Sequence, residues 1–256
     1  MRASHILLLP IAFIILLASC KSQYRWDMIC VEGGDFYMGS TDNDADIDEQ
    51  NIRLVHVDDF YIGKYEITQA EWKNVMRANP SIFRGDNLPV ECVSWNNAQF
   101  FIEKLNKRTG RHFRLPTLEE WEYAARGGKY ANNHTFSGSD NLNEVGWTIA
   151  NSGERTHPVG LLKANALGIY DMTGNVQEWC DGRYDSLCYA LDTLMNKEIA
   201  YKDIRIFKGG SWASHSRHCR ITNINYNSRE LRNFTIGFRL AEDATTNNKN
   251  RRADGI

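Results

Sequence analysis

Beyond the Gly127-Gly128 pair this chain shows no long stretch of helical periodicity, and that absence constrains its fold more than any other feature. Short strand-like pieces at 168–171, 205–208 and 238–240 alternate instead with loops rich in Asn, Ser and Gly. The 3.6-residue pattern appears only earlier. Ser94 is placed to cap a helix running through Leu105 and closed at Thr109-Gly110. Thr117 with Glu120 makes a capping-box pattern that opens a second helix, 118–126, which the twin glycines stop. Seven Trp, eleven Tyr and eleven Phe stand among nineteen Gly. This suits an irregular fold pinned by aromatic packing better than a helix bundle. No internal repeat is visible.

The N-terminus carries a separate message. Arg2 and His5 precede an apolar run, 6–17, interrupted only by Pro10. A positive start with a short apolar core is the signature of a secretion signal, and the run is short for crossing about 30 Å of hydrocarbon. Leu17-Ala18-Ser19-Cys20 resembles the bacterial lipobox. On that resemblance 1–19 is a lipoprotein signal peptide, Cys20 becomes the lipid-carrying N-terminus, and 20–27 is a lipidated tether. Several acyl chains anchor durably, at about 0.8 kcal/mol per buried methylene. The expected place is the cell envelope, anchored to a bacterial membrane and facing the periplasm or cell surface. The alternatives are an uncleaved anchor, or ordinary secretion with an incidental cysteine.

The rest of the chain is long enough to bury a large core. A net charge of −2 gives no argument for a nucleic-acid partner. Cys30, Cys92, Cys180, Cys188 and Cys219 follow Cys20. Outside the cytoplasm such residues can pair, but the number is odd and spacing does not give the connectivity. Residues 28–38 read as a hairpin turned at Gly33-Gly34. The acidic stretch 41–50 lacks the glycine and register of an EF-hand and reads as a solvated loop. Residues 243–256 are polar without an apolar face, and are expected to form a disordered tail.

Five segments then occur in a specific order: VEGGDFYMG at 31–39, PVECVSW at 89–95, RLPTLEEWEYAARGG at 114–128, GIYDMTGNVQEW at 168–179, and KGGSW at 208–212 closed by GFR at 237–239. Together they resemble the formylglycine-generating enzyme family, also called sulfatase-modifying factors, over residues 28–242. The resemblance implies a compact α+β variant of the C-type lectin fold with little regular secondary structure. It also implies calcium, held by the side chains of Asp171 and Glu178 and the backbone oxygens of Gly174 and Val176. Two acidic side chains suit a hard cation that takes about 6–8 oxygens; the alternative is a satisfied carboxylate in a tight turn. The residues themselves say more. Gly209-Gly210 permit a turn closed to other residues, and Arg114, Glu120, Glu122 and Arg126 are placed for ion pairs around Trp121, which makes that helix structural.

Family oxidases convert a substrate cysteine to formylglycine with copper(I) held by two cysteines, soft ligands for a soft ion. The motif places those cysteines at 214 and 219 of this chain, where Ser214 and Cys219 stand. A hydroxyl is a hard donor, and Gln177 stands where the oxidases carry a tryptophan, so copper is not expected. His215 and His218 flank Cys219 in a pattern that could offer ligands to zinc or copper; the plainer account of Cys219 is a disulfide, with Cys180 as first candidate partner.

Between Trp212 and Gly237 the sequence mixes polar, aromatic and basic residues without periodicity, as recognition loops do. Relatives of this fold include targets of diversity-generating retroelements, and many residues here are reachable from Asn codons by adenine changes. Ordinary loop drift leaves the same pattern. The expectation is therefore a lipid-anchored binding or assembly module. Its binding face would be built by 213–236, with His215, Arg217, His218, Tyr226 and Phe234, and by loops around 171–188. Its ligand would be a protein or a glycan. The alternative is an oxidoreductase of the formylglycine-generating type, acting on a protein cysteine through Cys219.

Overall fold

The computed structural model describes residues 26–42, 45–183 and 203–244. The signal peptide, Cys20, Cys188, residues 184–188 of the expected face and the tail from 245 lie outside the described residues. No helix among the described residues is long and apolar enough to cross a membrane.

Strand β1 (Met28–Val31) leads to β2 (Gly34–Met38), β3 (Arg53–Val57) and β4 (Phe60–Gly63). Helices α1 (Gln69–Met76) and α2 (Trp95–Thr109) follow, then β5 (Phe113–Arg114), α3 (Leu118–Arg126) and α4 (Leu142–Val145). The C-terminal part holds β6 (Gln177–Arg183), β7 (Ile204–Lys208), β8 (Asn225–Ser228), β9 (Ile236–Gly237) and β10 (Ala241–Asp243). Three sheets result, ordered β1-β4-β10-β5, β2-β3 and β8-β7-β6-β9.

The helices form where the sequence says they should. Ser94 caps α2 through a reciprocal bond with Asn97, and Gly110 closes it in the left-handed conformation. Thr117 and Glu120 cap α3 in the same way, and Gly127 ends it. Helix α1 starts on a third capping box, Thr68 with Glu71. Along α2, Ala98, Phe101, Ile102 and Leu105 are buried at helical spacing. Phe101 stacks on Trp72 of α1 at 5.2 Å and meets Phe238 edge-on at 5.5 Å. Aromatic rings thus join the helical and C-terminal parts of one core.

Several expectations need correction. Residues 28–38 are not a hairpin. β1 pairs with β4 and β2 pairs with β3, so the chain steps from one sheet to another at Gly33, where a Cβ would lie 2.2 Å from Val57 O. Alternating apolar runs look the same whichever strand they pair with. Residues 168–171 and 238–240 belong to no strand, whereas 205–208 lies within β7. Trp26 is not tether but core, packed on Phe101 and Phe113. Asp243 is not tail but part of β10, bonded to Arg114. The acidic stretch is only partly solvated. Glu49 is buried against Arg220 at 2.6 Å and Asn223 at 3.1 Å.

The ion pairs expected around Trp121 are present. Arg114 holds Glu120 by two bonds of 2.6 Å, and Arg126 reaches Glu122 at 2.8 Å. Lys208 of β7 adds a second, fully buried cation to Glu122 at 3.0 Å. Burial opposes the charge of Glu122, but Lys208 and Arg126 prevail and hold its pKa below the usual value.

Candidate functional site: the surface around Trp212

The end of β7 runs into Gly209 and Gly210, both at positive φ. At Gly210 a Cβ would stand 2.5 Å from the Cys219 sulfur. The glycine therefore lets the 3₁₀ turn Ser216–Cys219 fold back onto the strand end. That packing settles the character of Cys219. It is buried, grouped with Phe136, Val145 and Leu142, and burial pushes its thiol up to about 12. A thiol so enclosed and protonated is a poor nucleophile as it stands.

Ser214 is equally committed. Its Oγ accepts from Ser211 N at 3.0 Å and shares a hydrogen bond with Ser211 Oγ at 3.0 Å. The hydroxyl closes its own loop. The expected disulfide is absent: Cys180 and Cys219 are both free, and Cys180 belongs to the core group around Trp121. His215 is exposed, His218 half-buried and Cys219 buried. Among the described residues no group of three or more His, Cys, Asp or Glu is arranged to hold a metal.

What the surface does present is aromatic. Phe83 meets the Trp212 ring edge-on at 5.5 Å, and Phe234 lies beside it at 5.6 Å. Trp212 Nε1 donates to Phe234 O at 3.2 Å. Ile82, next to Phe83, is 60 % exposed and Phe234 is 41 % exposed. Ile149, whose N–H bonds Ser214 O at 3.2 Å, is also exposed. Phe83 and Ile82 come from a loop far from 213–236 in sequence. Both hang on one buried carboxylate, since Glu91 Oε1 accepts from Ile82 N at 2.5 Å and from Phe83 N at 2.9 Å.

The other residues of the expected binding face do not share this place. Arg217 pairs with Asp46 at 2.7 Å, and Tyr226 sits on β8 opposite Ile206. Only Phe234 joins the aromatic cluster. Gln177, which stands where the oxidases carry a tryptophan, pairs through its backbone with Ile236 of β9.

Beneath Trp212 lies the segment expected to hold calcium. Asn175 O accepts from Trp212 N at 2.9 Å, and Asn175 Nδ2 donates to Glu66 Oε2 at 2.6 Å. Glu66 Oε1 accepts from Val176 N at 3.0 Å. Asp171 Oδ2 accepts from Gly160 N at 2.6 Å. Burial pushes Asp171 up to about 6 and Glu66 well above the carboxylate range. Glu178 gives both oxygens to Arg239, each at 2.6 Å, and receives Trp121 Nε1 at 2.7 Å. Of the four expected positions, Glu178 has both oxygens bonded to Arg239 and Asp171 has one oxygen bonded to Gly160 N, so the Glu178 carboxylate as arranged is not free for the ion. Glu66 and Asn175 were missed. Glu66 carries no local signal, while Asn175 shows one only in a Gly-Asn step that tolerates positive φ.

Known proteins place this arrangement. The model of the sulfatase-modifying factor enzyme 1-like domain matches residues 17–244. The chaperone protein LppX of Paenibacillus barcinonensis is 35 % identical over 82 % of this chain and 88 % of its own length. The formylglycine-generating enzyme of Streptomyces coelicolor is 31 % identical over 68 % of this chain, which spans 59 % of that enzyme. Among solved structures, Treponema denticola variable protein 1 matches with a TM-score of 0.73 at 28 % identity, over 84 % of this chain and 94 % of its own. PvdO from Pseudomonas aeruginosa matches at 0.71 and 25 % identity, over 84 % and 94 %. The fold is thus the one the motifs implied, and the chain belongs to the family of sulfatase-modifying factor enzyme 1-like domains.

Proposed function

We propose that this protein is a non-catalytic, lipid-anchored envelope module that binds exposed apolar segments of a polypeptide at the Trp212 surface. One observation carries the reading: where the oxidases need two thiolates, Ser214 is closed on Ser211 and Cys219 is sealed in the core, while the rings of Phe83, Trp212 and Phe234 cluster beside them. Clustered aromatic residues with an apolar rim supply contact area at low entropy cost, as hot spots of protein interfaces do. A relative named as a chaperone, similar along nearly its whole length, supports a polypeptide ligand over a glycan. Lipidation at Cys20 keeps the module at the membrane.

The test uses a permanently unfolded probe, reduced and carboxymethylated α-lactalbumin, followed by binding to the purified protein. Wild type binds. Trp212→Ala with Phe234→Ala weakens binding at least about tenfold, the loss expected of a central aromatic anchor, without loss of fold by circular dichroism. Equal binding by the double variant sinks the proposed surface. In cells, Cys20→Ser leaves the membrane fraction or stays unprocessed. The second reading, an oxidase of the formylglycine-generating type, is favoured by the relative of that name. Aldehyde formation on a cysteine peptide by the unmodified protein, dependent on Cys219, would establish it instead.

A further inference from the structure

Glu178 stands where the family pattern places a calcium ligand, and the fold gives it another cation. Arg239 meets its carboxylate as a fork, Nε to Oε2 and an Nη to Oε1, both at 2.6 Å. Neither side chain has any exposed surface. Trp121 Nε1 adds a third donor to Oε2 at 2.7 Å. Two further guanidinium donors end on Gly63 O and Tyr170 O, each at 2.9 Å. One side chain therefore gathers oxygens from the end of β4, from the loop before Asp171 and from β6. Collecting oxygens from segments far apart in sequence is what a structural ion does in a loop-rich domain.

The two arrangements compete for the same carboxylate. A divalent cation on Glu178 would lie beside a guanidinium already in contact with both oxygens, and in a buried site such repulsion is weakly screened. The nearby carboxylates are held by neutral donors, Glu66 by Asn175 Nδ2 and Val176 N, and Asp171 by Gly160 N. Arginine suits this post because its charge is permanent and its planar donors match a carboxylate and two carbonyls at once. We propose that Arg239 is the resident cation of this domain, standing in place of a metal ion. The segment 157–178, and the Trp212 surface that rests on Asn175, are then held without calcium. This holds whatever the surface binds.

The test is a pair of thermal melts of the purified full chain, one in EGTA and one in excess calcium, with terbium luminescence excited through tryptophan as a probe of binding. The expected result is coincident melts and no calcium-displaceable terbium signal. Arg239→Lys keeps the charge but loses the fork, and melts below wild type; Arg239→Met melts lower still or yields no soluble protein. The proposal is overturned if EGTA lowers the wild-type midpoint and calcium restores it. It is equally overturned if terbium binds and calcium displaces it, or if either Arg239 variant melts with wild type. Because the chelator and terbium arms use the unmodified chain, they decide the matter even when Arg239→Met does not fold.

Discussion

The charged frame behind α3 and the aromatic surface around Trp212 treat large side chains in opposite ways. In the frame, Glu122, Lys208, Glu178 and Arg239 are buried and paired, and their bonds tie together segments far apart in sequence. On the surface, Phe83 and Phe234 each pack on Trp212, and all three leave part of their area to solvent. A buried pair tolerates no loss of one member, because the survivor keeps its desolvation cost without its partner. A surface cluster loses contact area and little else. Change costs least at such a surface, so the fold can persist while Ser214 stands at one of the two positions that carry cysteines in the oxidases.

The sharpest way to test that contrast is to break the frame. Lys208→Met leaves the buried Glu122 with Arg126 as its one remaining ion-pair partner among the described residues, and should cost about 3–5 kcal/mol of unfolding free energy. Urea denaturation measures it. A loss below about 1 kcal/mol would mean that the frame is no less tolerant than the surface.

Glu49 links the two regions, because its partners Arg220, Thr222 and Asn223 follow directly on the Cys219 turn. Burial raises its pKa, but those three partners outweigh burial and hold it below the ordinary 4.5. A depressed folded-state pKa gives stability that is present above the unfolded value and is lost as pH falls through the folded one. Glu49→Gln should therefore cost about 2 kcal/mol at pH 7, with the gap to wild type closing as the solution is acidified below 4.5. A gap independent of pH would assign the loss to packing rather than charge.

The smallest effect on stability is expected at Ile82, 60 % exposed at the edge of the aromatic cluster. Ile82→Ser should shift unfolding free energy by no more than about 0.5 kcal/mol, yet weaken binding of the unfolded probe. A large stability loss with unchanged binding would make the cluster part of the core and erase the contrast.

The sequence by itself settled what local chemistry can settle. The capping boxes at Ser94 and Thr117 and the glycines behind them set both longer helices, because cap, turn and stop lie within a few residues of one another. The ordered motifs carried the family and its fold, and the Ser214 substitution showed in advance that a second thiolate is missing. Pairing was beyond its reach. β1 and β2 are adjacent in the chain but bond to different sheets, and a period of two residues does not say which strand lies opposite. The same limit hid the site. Phe83 reaches Trp212 from a distant loop, Cys219 is sealed by packing rather than by a disulfide, and Arg239 takes the carboxylate that the motif offers to calcium. A motif fixes which atoms are available, but which partner satisfies a buried charge depends on what the fold brings within about 3 Å of it, and only the tertiary structure decides that.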